Sequence, residues 1–165
     1  DRAIEDYNKA IALNPNLAEA YHNRGNVYGN KGQYDRAIED YNKAIALNPN
    51  YAQAYTNRGA AYANKGQYDR AIEDFNKAIA LNPNDAGYYY NRGNAYFKKG
   101  QYDMAIEDYN RAIALNPNDA LAYNNRGLAY SEKGIMSKAV SDFQKACDMG
   151  NEYGCKNLQE ALQNK

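Results

Sequence analysis

Residues 31–50 read KGQYDRAIEDYNKAIALNPN, and nearly the same letters return twice further along the chain. The second copy carries Phe75 in place of a tyrosine, and the third carries Met104 and Arg111 as its changes. Prolines follow the same 34-residue spacing, at Pro15, Pro49, Pro83 and Pro117. A fixed period of this length is typical of repeat proteins, in which each repeat packs mainly on its neighbours.

Aligned on this period, the chain contains four full repeats, with part of a repeat before them and a short segment after them. We place half a repeat, a second helix only, at 1–17, full repeats at 18–51, 52–85, 86–119 and 120–153, and the remainder of a C-terminal capping helix that begins near residue 152 at 154–165. A length of 165 residues is predicted to form a single domain, because domains average roughly 150 residues.

Each full repeat is predicted to form two helices. In the first, Tyr21, Gly25 and Tyr28 lie on one helical face, and Gly32 ends the helix because glycine adopts the left-handed cap conformation at little cost. The second helix has a broader apolar stripe: Ala37, Ile38, Tyr41, Ala44, Ile45 and Leu47. Since one repeat cannot cover these faces alone, the repeats are expected to stack, with large tyrosines filling the space beside small residues.

The pattern of Tyr21, Gly25, Tyr28, Ala37, Tyr41, Ala44 and Pro49 on this period resembles the tetratricopeptide repeat. The resemblance covers nearly the whole chain. It implies an all-α fold, an α-α superhelix, in which antiparallel helix pairs form a right-handed solenoid and the first helices line a concave groove that binds other proteins. Two features depart from the family pattern: Arg24 occupies a position that is usually leucine, and Asn151 replaces the proline of the fourth repeat.

Each repeat also carries one inward-leaning arginine and one aspartate on its second helix. We predict that each guanidinium bonds an aspartate of its own repeat or of the preceding one, where Asp6 is available to Arg24. The alternative is an arginine that extends directly into water. The residues concerned are Arg24, Arg58, Arg92 and Arg126 with Asp40, Asp74, Asp108 and Asp142.

One position on the expected groove face is asparagine in every repeat. These residues are Asn23, Asn57, Asn91 and Asn125. A side-chain amide offers a donor and an acceptor together, so a row of them can bond the backbone of an extended peptide. The row is similar to the asparagine ladder of the O-linked N-acetylglucosamine transferase repeats. Alternatively, each asparagine ties its own helix to a neighbouring helix.

Other groove positions change from repeat to repeat while the second helices hardly vary. An anchor pocket is predicted in the C-terminal half, because buried aromatic contacts concentrate binding energy, and the N-terminal half is expected to be more polar. The pocket would consist of Tyr90, Phe97, Leu121 and Leu128 beside Asn94, Lys98 and Asn125. The alternative is that Tyr90 and Phe97 pack only on each other.

Chaperone-tail-binding members of the resembled family hold a carboxylate with three basic groups and two asparagines. Asn26 and Asn57 match the two asparagines, but His22, Gly87 and Asn91 stand where the basic groups are needed. A C-terminal acidic tail is therefore not the expected ligand, and Asn26 is kept as a groove residue.

Both ends of the array carry further predictions. The chain begins inside a second helix, so we expect further repeats upstream, and the exposed apolar face of helix 1–13, with Ile4 and Ile11, could attract another chain. At the other end a capping helix is expected. Its inward residues would be Tyr153, Leu158, Ala161 and Leu162, and its outward residues Lys156, Glu160, Gln163 and Lys165.

The two cysteines, Cys147 and Cys155, are expected to lie close together. Reduced thiols are favoured, and a disulfide that locks the capping helix is the alternative, which would imply an oxidising compartment. Two cysteines are too few for a structural zinc site. No metal and no cofactor are expected.

Charge and composition narrow the classes of function. The 20 Lys+Arg residues balance the 20 Asp+Glu residues, which argues against a nucleic-acid partner and against an anionic membrane surface. No apolar run approaches the ~20 residues of a membrane span, and a cytoplasmic location is favoured, although the compartment stays open. His22, the sole histidine, has no repeated Ser or Cys partner, so catalysis is not expected. We predict a non-catalytic scaffold that binds a peptide or protein segment in the groove; the alternative is a module that self-assembles end to end through helix 1–13.

Overall fold

The structure is a computed structural model and describes residues 2–163. Within that range the chain forms ten α helices. They are α1 (Arg2–Leu13), α2 (Ala18–Asn30), α3 (Tyr34–Leu47), α4 (Ala52–Asn64), α5 (Tyr68–Leu81), α6 (Ala86–Lys98), α7 (Tyr102–Leu115), α8 (Ala120–Glu132), α9 (Met136–Asp148) and α10 (Glu152–Gln163). The helices α2, α4, α6 and α8 begin at the first residues of the four full repeats.

The two helices of a repeat run antiparallel. Arg24 of α2 contacts Asp40 of α3, and one turn further along α2, Gly29 approaches Ala37. Residue numbers therefore increase along α2 in the direction in which they decrease along α3. The chain reverses at Gly32, whose φ of 71° lies in the left-handed region that favours glycine.

Close approach of the two helices depends on the glycine in the middle of the first one. A Cβ atom built on Gly25 would lie 2.8 Å from Cε1 of Tyr41. The ring of Tyr41, which is 3% exposed, therefore lies directly against the α2 backbone. In this repeat the ring forms a core cluster with the buried alanines Ala37 and Ala61.

Contacts divide the chain into two compact units, Asp1–Pro83 and Asn84–Lys165. In the first unit, α1 packs on α2, and α2 to α5 pack each on the next. In the second unit, α6 to α9 do the same, and α10 packs on α9 and also touches α8. Within each unit, helices thus pack mainly on their neighbours in sequence, as stacking repeats require.

The predicted pairing of arginine and aspartate is confirmed, and its partner lies in the same repeat. Arg24 donates from Nε and Nη2 to the two carboxylate oxygens of Asp40, at 2.8 and 2.6 Å. Its Nη1 donates to Oδ1 of Asn8 on the preceding helix, at 2.6 Å, so the cross-repeat bond goes to an asparagine and not to Asp6. The hydrogen bond to Asp40 raises the pKa of Arg24 above its usual value.

The same arrangement recurs along the chain and is called here the arginine clamp. The equivalent bidentate pairs are Arg58 with Asp74, Arg92 with Asp108, and Arg126 with Asp142. Arg58 and Arg126 also bond an asparagine of the preceding helix, at 2.6 Å in each case. Each of these clamps therefore joins three helices.

The capping helix α10 begins at Glu152, as predicted, but its buried face differs from the prediction. Tyr153 and Leu162 were expected to face inward, yet they are 70% and 52% exposed. Ala161 is buried as predicted, and Gly154, which was not predicted to face inward, is buried with it; a Cβ atom on Gly154 would lie 2.6 Å from the Cβ of Ala146. Close contact between these small residues rotates the helix so that the large side chains turn outward.

Other predictions for α10 agree with the structure. Leu158 packs on the apolar cluster of the last repeat, as expected. The predicted outward residues Lys156, Glu160 and Gln163 are exposed, and Lys165 lies outside the described residues.

The expectation of reduced thiols is wrong. Cys147 of α9 and Cys155 of α10 form a disulfide, with their Cα atoms 4.5 Å apart. The tight contact at Gly154 brings the first turn of α10 against the end of α9, which places the two sulfur atoms within bonding distance. The alternative in which the disulfide locks the capping helix is therefore the one observed.

Candidate functional site

The first unit contains a cavity of about 400 Å³ between α2, α3 and α4. The lining of this first-unit cavity consists of small residues, asparagines and two phenol rings. The lining residues are Asn26, Gly29, Asn30, Tyr34, Tyr41, Asn57, Ala60, Ala61 and Asn64. All of these side chains are uncharged, so the cavity can attract a ligand only through hydrogen bonds and packing.

Two asparagine amides in this cavity are held in fixed orientations. Asn57 uses Nδ2 to donate to Oδ1 of Asn26 at 2.8 Å and to Nε2 of His22 at 3.0 Å. Oδ1 of Asn26 also accepts a hydrogen bond from the hydroxyl of Tyr41, at 2.8 Å. Among the described residues, neither Oδ1 of Asn57 nor Nδ2 of Asn26 has a partner, and no unpaired side-chain atom there is buried. The pair thus presents one free acceptor and one free donor to solvent.

Tyr41 fixes the direction of this hydrogen-bond chain. Burial raises the pKa of Tyr41 to about 12, so its hydroxyl stays protonated at physiological pH. A protonated hydroxyl beside Asn26 donates to the carbonyl oxygen and not to the amide nitrogen. The amide group of Asn26 therefore turns its NH₂ away from Tyr41.

At the other end of this series of hydrogen bonds, His22 fixes the orientation of Asn57. It is 6% exposed, and burial lowers its pKa, so the ring is neutral at pH 7. Because Nε2 accepts from Asn57, the ring proton resides on Nδ1, which lies 3.1 Å from the hydroxyl of Tyr51 and 3.3 Å from Oδ1 of Asn23. The sole histidine is thus a buried structural group that orients Asn57.

The second unit contains a smaller and more apolar cavity of about 290 Å³. This second-unit cavity is lined by Asn94, Phe97, Lys98, Tyr109, Asn125 and Leu128. Phe97 and Leu128 occupy the positions that Gly29 and Ala60 have in the first unit. Large apolar side chains there reduce the open volume and supply the walls for an apolar ligand group.

The oriented amide pair recurs in the second unit. Asn125 donates from Nδ2 to Oδ1 of Asn94 at 3.0 Å and to the hydroxyl of Tyr90 at 3.1 Å. The hydroxyl of Tyr109 donates to Oδ1 of Asn94 at 2.7 Å. Oδ1 of Asn125 accepts one bond from Asn124, at 3.1 Å. Among the residues that the structure describes, Nδ2 of Asn94 therefore has no partner, and one lone pair of Oδ1 of Asn125 stays open.

The structure brings most of the predicted groove residues together, though not all of them. Asn94, Phe97, Lys98, Asn125 and Leu128 surround the second-unit cavity. Of the remaining residues of the predicted set, Asn26 and Asn57 line the first-unit cavity. The others line neither of the two cavities, although Tyr90 bonds Asn125: Asn23, Tyr90, Asn91 and Leu121. The set thus falls into two local clusters, one in each unit.

These contacts also bear on two alternatives from the sequence. Asn57 and Asn125 each tie their own helix to the first helix of the preceding repeat, so the donors of these asparagines serve the fold. The rings of Tyr90 and Phe97 do not contact each other. The ring centroid of Tyr90 lies 6.1 Å from that of Tyr109, and the ring centroid of Phe97 lies 5.5 Å from that of Tyr102.

The role of the rings at positions 41 and 109 was not predicted from the sequence. These rings belong to the second helices, yet their hydroxyls reach the groove side. A signal was present in the sequence: the position is tyrosine where the first helix carries Asn26 or Asn94, and it is phenylalanine, at 75 and 143, where the first helix carries alanine or leucine. That correlated change marks a hydroxyl that needs an acceptor.

Two findings concern other classes of site. Residues 2–163 contain no group of His, Cys, Asp or Glu side chains that could hold a metal ion. No helix in the same range is both long and apolar enough to cross a membrane.

Known proteins resemble this chain both in sequence pattern and in fold. A TPR repeat family matches residues 1–32, 61–100 and 93–134, and further tetratricopeptide repeat families match 18–51, 40–73 and 120–150. No curated protein matches the chain in sequence. None of the matching families is a catalytic one.

Solved structures give the same result. The crystal structure of MamA is 35% identical, covers 90% of this chain and 87% of its own, and superposes with a TM-score of 0.84. YrrB, described as a TPR protein with an unusual peptide-binding site, is 26% identical over 97% of this chain and 92% of its own, with a TM-score of 0.80.

The first TPR of Spaghetti (RPAP3), solved with the HSP90 peptide SRMEEVD, is 32% identical over 71% of this chain and 93% of its own, with a TM-score of 0.70. The predicted all-α solenoid of helix pairs is thereby confirmed. Proteins of this kind are scaffolds for interaction with peptides or other proteins. On the family matches and the similarity to MamA, the chain belongs to the tetratricopeptide repeat family.

Proposed function

We propose that this chain is a non-catalytic scaffold that binds an extended peptide or protein segment along its first helices. The observation that carries the proposal is the oriented amide pair of Asn26 and Asn57, with its counterpart in the second unit. Each pair offers hydrogen-bonding groups without charge. Amide groups, which every peptide contains, are the partners that such a pair satisfies best.

In the second unit the amide pair lies beside apolar walls. A ligand there would place an apolar side chain between Phe97 and Leu128, while its backbone accepts a hydrogen bond from Nδ2 of Asn94. Lys98 is exposed at the edge of the cavity. Aromatic and aliphatic contacts in a desolvated pocket concentrate binding energy, at about 2 kcal/mol or more for a dominant residue.

Both YrrB and the first TPR of RPAP3 support a peptide ligand, since their descriptions name a peptide-binding site and a bound peptide. An acidic tail remains disfavoured for this chain. His22 is buried and neutral, and Gly87 and Asn91 provide no positive charge. The ligand we propose is an uncharged segment with an apolar anchor.

Selection from a random dodecapeptide display library, followed by fluorescence anisotropy with the selected peptide, tests this proposal. The informative variants combine Asn26→Ala with Tyr41→Phe, and Asn94→Ala with Tyr109→Phe, because alanine and phenylalanine already occupy these positions in the second repeat. We expect each to weaken binding by about tenfold or more, as loss of an oriented hydrogen bond costs about 1 to 1.5 kcal/mol.

The control variant is Glu39→Ala, a position that lines neither cavity. It should bind as the wild type does. Failure of the wild type to enrich any peptide, or equal binding by all variants, would contradict the proposal.

Self-association is a second candidate, favoured by the surface of α1. None of the described residues of α1 is buried; Ile4, Tyr7 and Ile11 form an apolar stripe that is only partly covered, and Leu13 is 88% exposed. A second copy of the chain could cover that stripe. Light scattering should show concentration-dependent association that Ile4→Lys with Ile11→Lys abolishes; a monomer at all concentrations would exclude this candidate.

A further inference from the structure

We propose that the first-unit cavity is a recognition site for a primary carboxamide, the side chain of a glutamine in the bound segment. This inference rests on the proposed function and adds the chemistry of one ligand side chain to it. It depends on three features of the cavity: the free hydrogen-bonding atoms on its wall, the absence of charge among its lining residues, and the small residues that keep it open.

The free atoms match a carboxamide in number and kind. Nδ2 of Asn26 is an unpaired donor and Oδ1 of Asn57 is an unpaired acceptor within the described part of the chain. The two amide groups are adjacent, because Nδ2 of Asn57 lies 2.8 Å from Oδ1 of Asn26. A ligand carboxamide can therefore accept from Asn26 through its oxygen and donate to Asn57 through its nitrogen.

Other side chains fit this wall less well. A carboxylate or an ammonium group would lose hydration and find no opposite charge among the lining residues, which is costly. An aliphatic side chain would exclude water from Asn26 and Asn57 and leave their free atoms without partners.

Gly29 keeps the cavity open, and the backbone does not require glycine there. Its φ is in the ordinary helical range, and an added Cβ atom would meet its nearest neighbour, the hydroxyl of Tyr41, at 3.6 Å. That distance is ordinary van der Waals contact. Gly25, by contrast, has no space for a Cβ atom. The absent side chain at position 29 therefore leaves open volume beside the amide pair.

The second unit shows how the same place can be filled. Phe97 and Leu128 occupy the positions of Gly29 and Ala60, and the helices α6, α7 and α8 still pack as α2, α3 and α4 do. The scaffold thus tolerates large residues at both positions. Exchange of these residues between the units should change the ligand preference without changing the fold.

Nuclear magnetic resonance with two small probes tests the inference. Isotope-labelled chain is titrated with N-acetyl-L-glutamine methylamide and, separately, with N-acetyl-L-leucine methylamide. We expect the glutamine probe to shift the resonances of Gly29 and the side-chain amide of Asn57, and to bind this site about tenfold more tightly than the leucine probe does. That ratio corresponds to one well-formed hydrogen bond.

The matched variant is Gly29→Phe with Ala60→Leu, which copies the second unit into the first. Its affinity for the glutamine probe should be about tenfold lower than that of the wild type, and its melting temperature should be unchanged. If it is unfolded, Gly29→Leu alone, which also fills the cavity, takes its place. Equal affinity of the two probes for the wild type, or an unchanged glutamine response in the folded variant, overturns the inference.

Failure of this inference is distinguishable from failure of the proposed function. If the display library yields a peptide that depends on Asn26 and Asn94, yet the glutamine probe shows no preference for Gly29 and Asn57, peptide binding stands and the carboxamide site is wrong. If the library yields no peptide while the glutamine probe binds at Gly29, the groove binds a small amide and the peptide scaffold is wrong.

Discussion

Replacing one buried carboxylate by its amide tests the arginine clamp most directly. In Asp74→Asn the side chain keeps its shape, but the charge is lost and an NH₂ group faces the guanidinium of Arg58. Asp74 is 4% exposed and accepts from Nε and Nη2 of Arg58 at 2.8 and 2.6 Å. Arg58 keeps its third bond, to Asn42.

The magnitude follows from these contacts. Hydrogen bonds to charged groups contribute about 1.5 to 3 kcal/mol each, and removing one partner of a fully buried pair costs about 3 to 5 kcal/mol. Because the Arg58 side chain is 19% exposed and retains one bond, the loss should fall at or just below the lower limit for a fully buried pair, at about 2 to 3 kcal/mol in the free energy of unfolding.

Urea unfolding followed by circular dichroism measures this loss, and Asp35→Asn is the matched control. Asp35 also pairs with a cation, Lys65, but its side chain is 80% exposed, so its substitution should cost under about 0.5 kcal/mol. Adding Arg58→Leu to Asp74→Asn should recover part of the loss, because no unpaired buried charge remains. Equal losses in Asp74→Asn and Asp35→Asn would refute the idea that burial gives the clamp its strength.

Three further predictions concern packing, protonation and the disulfide. Gly25→Ala should destabilise the chain by about 1 to 3 kcal/mol, because its Cβ would overlap an aromatic ring, whereas Gly29→Ala should stabilise it by up to about 1 kcal/mol in thermal unfolding. Since burial lowers the pKa of His22 below 6.5, the folded chain binds fewer protons than the unfolded chain, so stability should fall as pH drops below 6.5, and less so in His22→Tyr. Reduction of Cys147 and Cys155 should cost about 2 to 3 kcal/mol, seen as a lower melting temperature.

Each of these has an outcome that contradicts it. Equal stability of the two alanine variants would mean that the contact between Gly25 and the Tyr41 ring does not limit the helix spacing. Parallel pH profiles of the wild type and His22→Tyr between pH 5 and 7 would mean that the histidine is not a linked group. An unchanged melting temperature in reducing agent would show that α10 docks without the disulfide.

The sequence was sufficient for the helices and for the arginine clamp, for physical reasons. A 34-residue period with Gly32 and Pro49 as breaks leaves room for only two helices per repeat. A recurring arginine on an apolar face also requires a partner, since an unpaired charge there is costly. These are local constraints, and they do not depend on the exact packing of one helix on another.

The amide pair and the capping helix depend on packing and were harder to predict. Asn26 and Tyr41 are 15 residues apart, and their contact requires the depth at which the ring lies against Gly25. In α10, the periodicity allowed several inward faces, and the close fit of Gly154 on Ala146 selected one that leaves Tyr153 exposed. Glycine is usually interpreted as a turn residue, although here it acts as the contact residue.

The arginine clamp also has a consequence for how the chain melts. Arg58 links α4 to α5 and to Asn42 on α3. When a repeat frays, its guanidinium and carboxylate groups must therefore lose some of their hydrogen-bond partners. Fraying from the ends, which nearest-neighbour coupling alone would permit, is thereby opposed at every such junction. Amide protons within a unit should accordingly exchange in concert, at nearly the same rate from its outer helices to its middle.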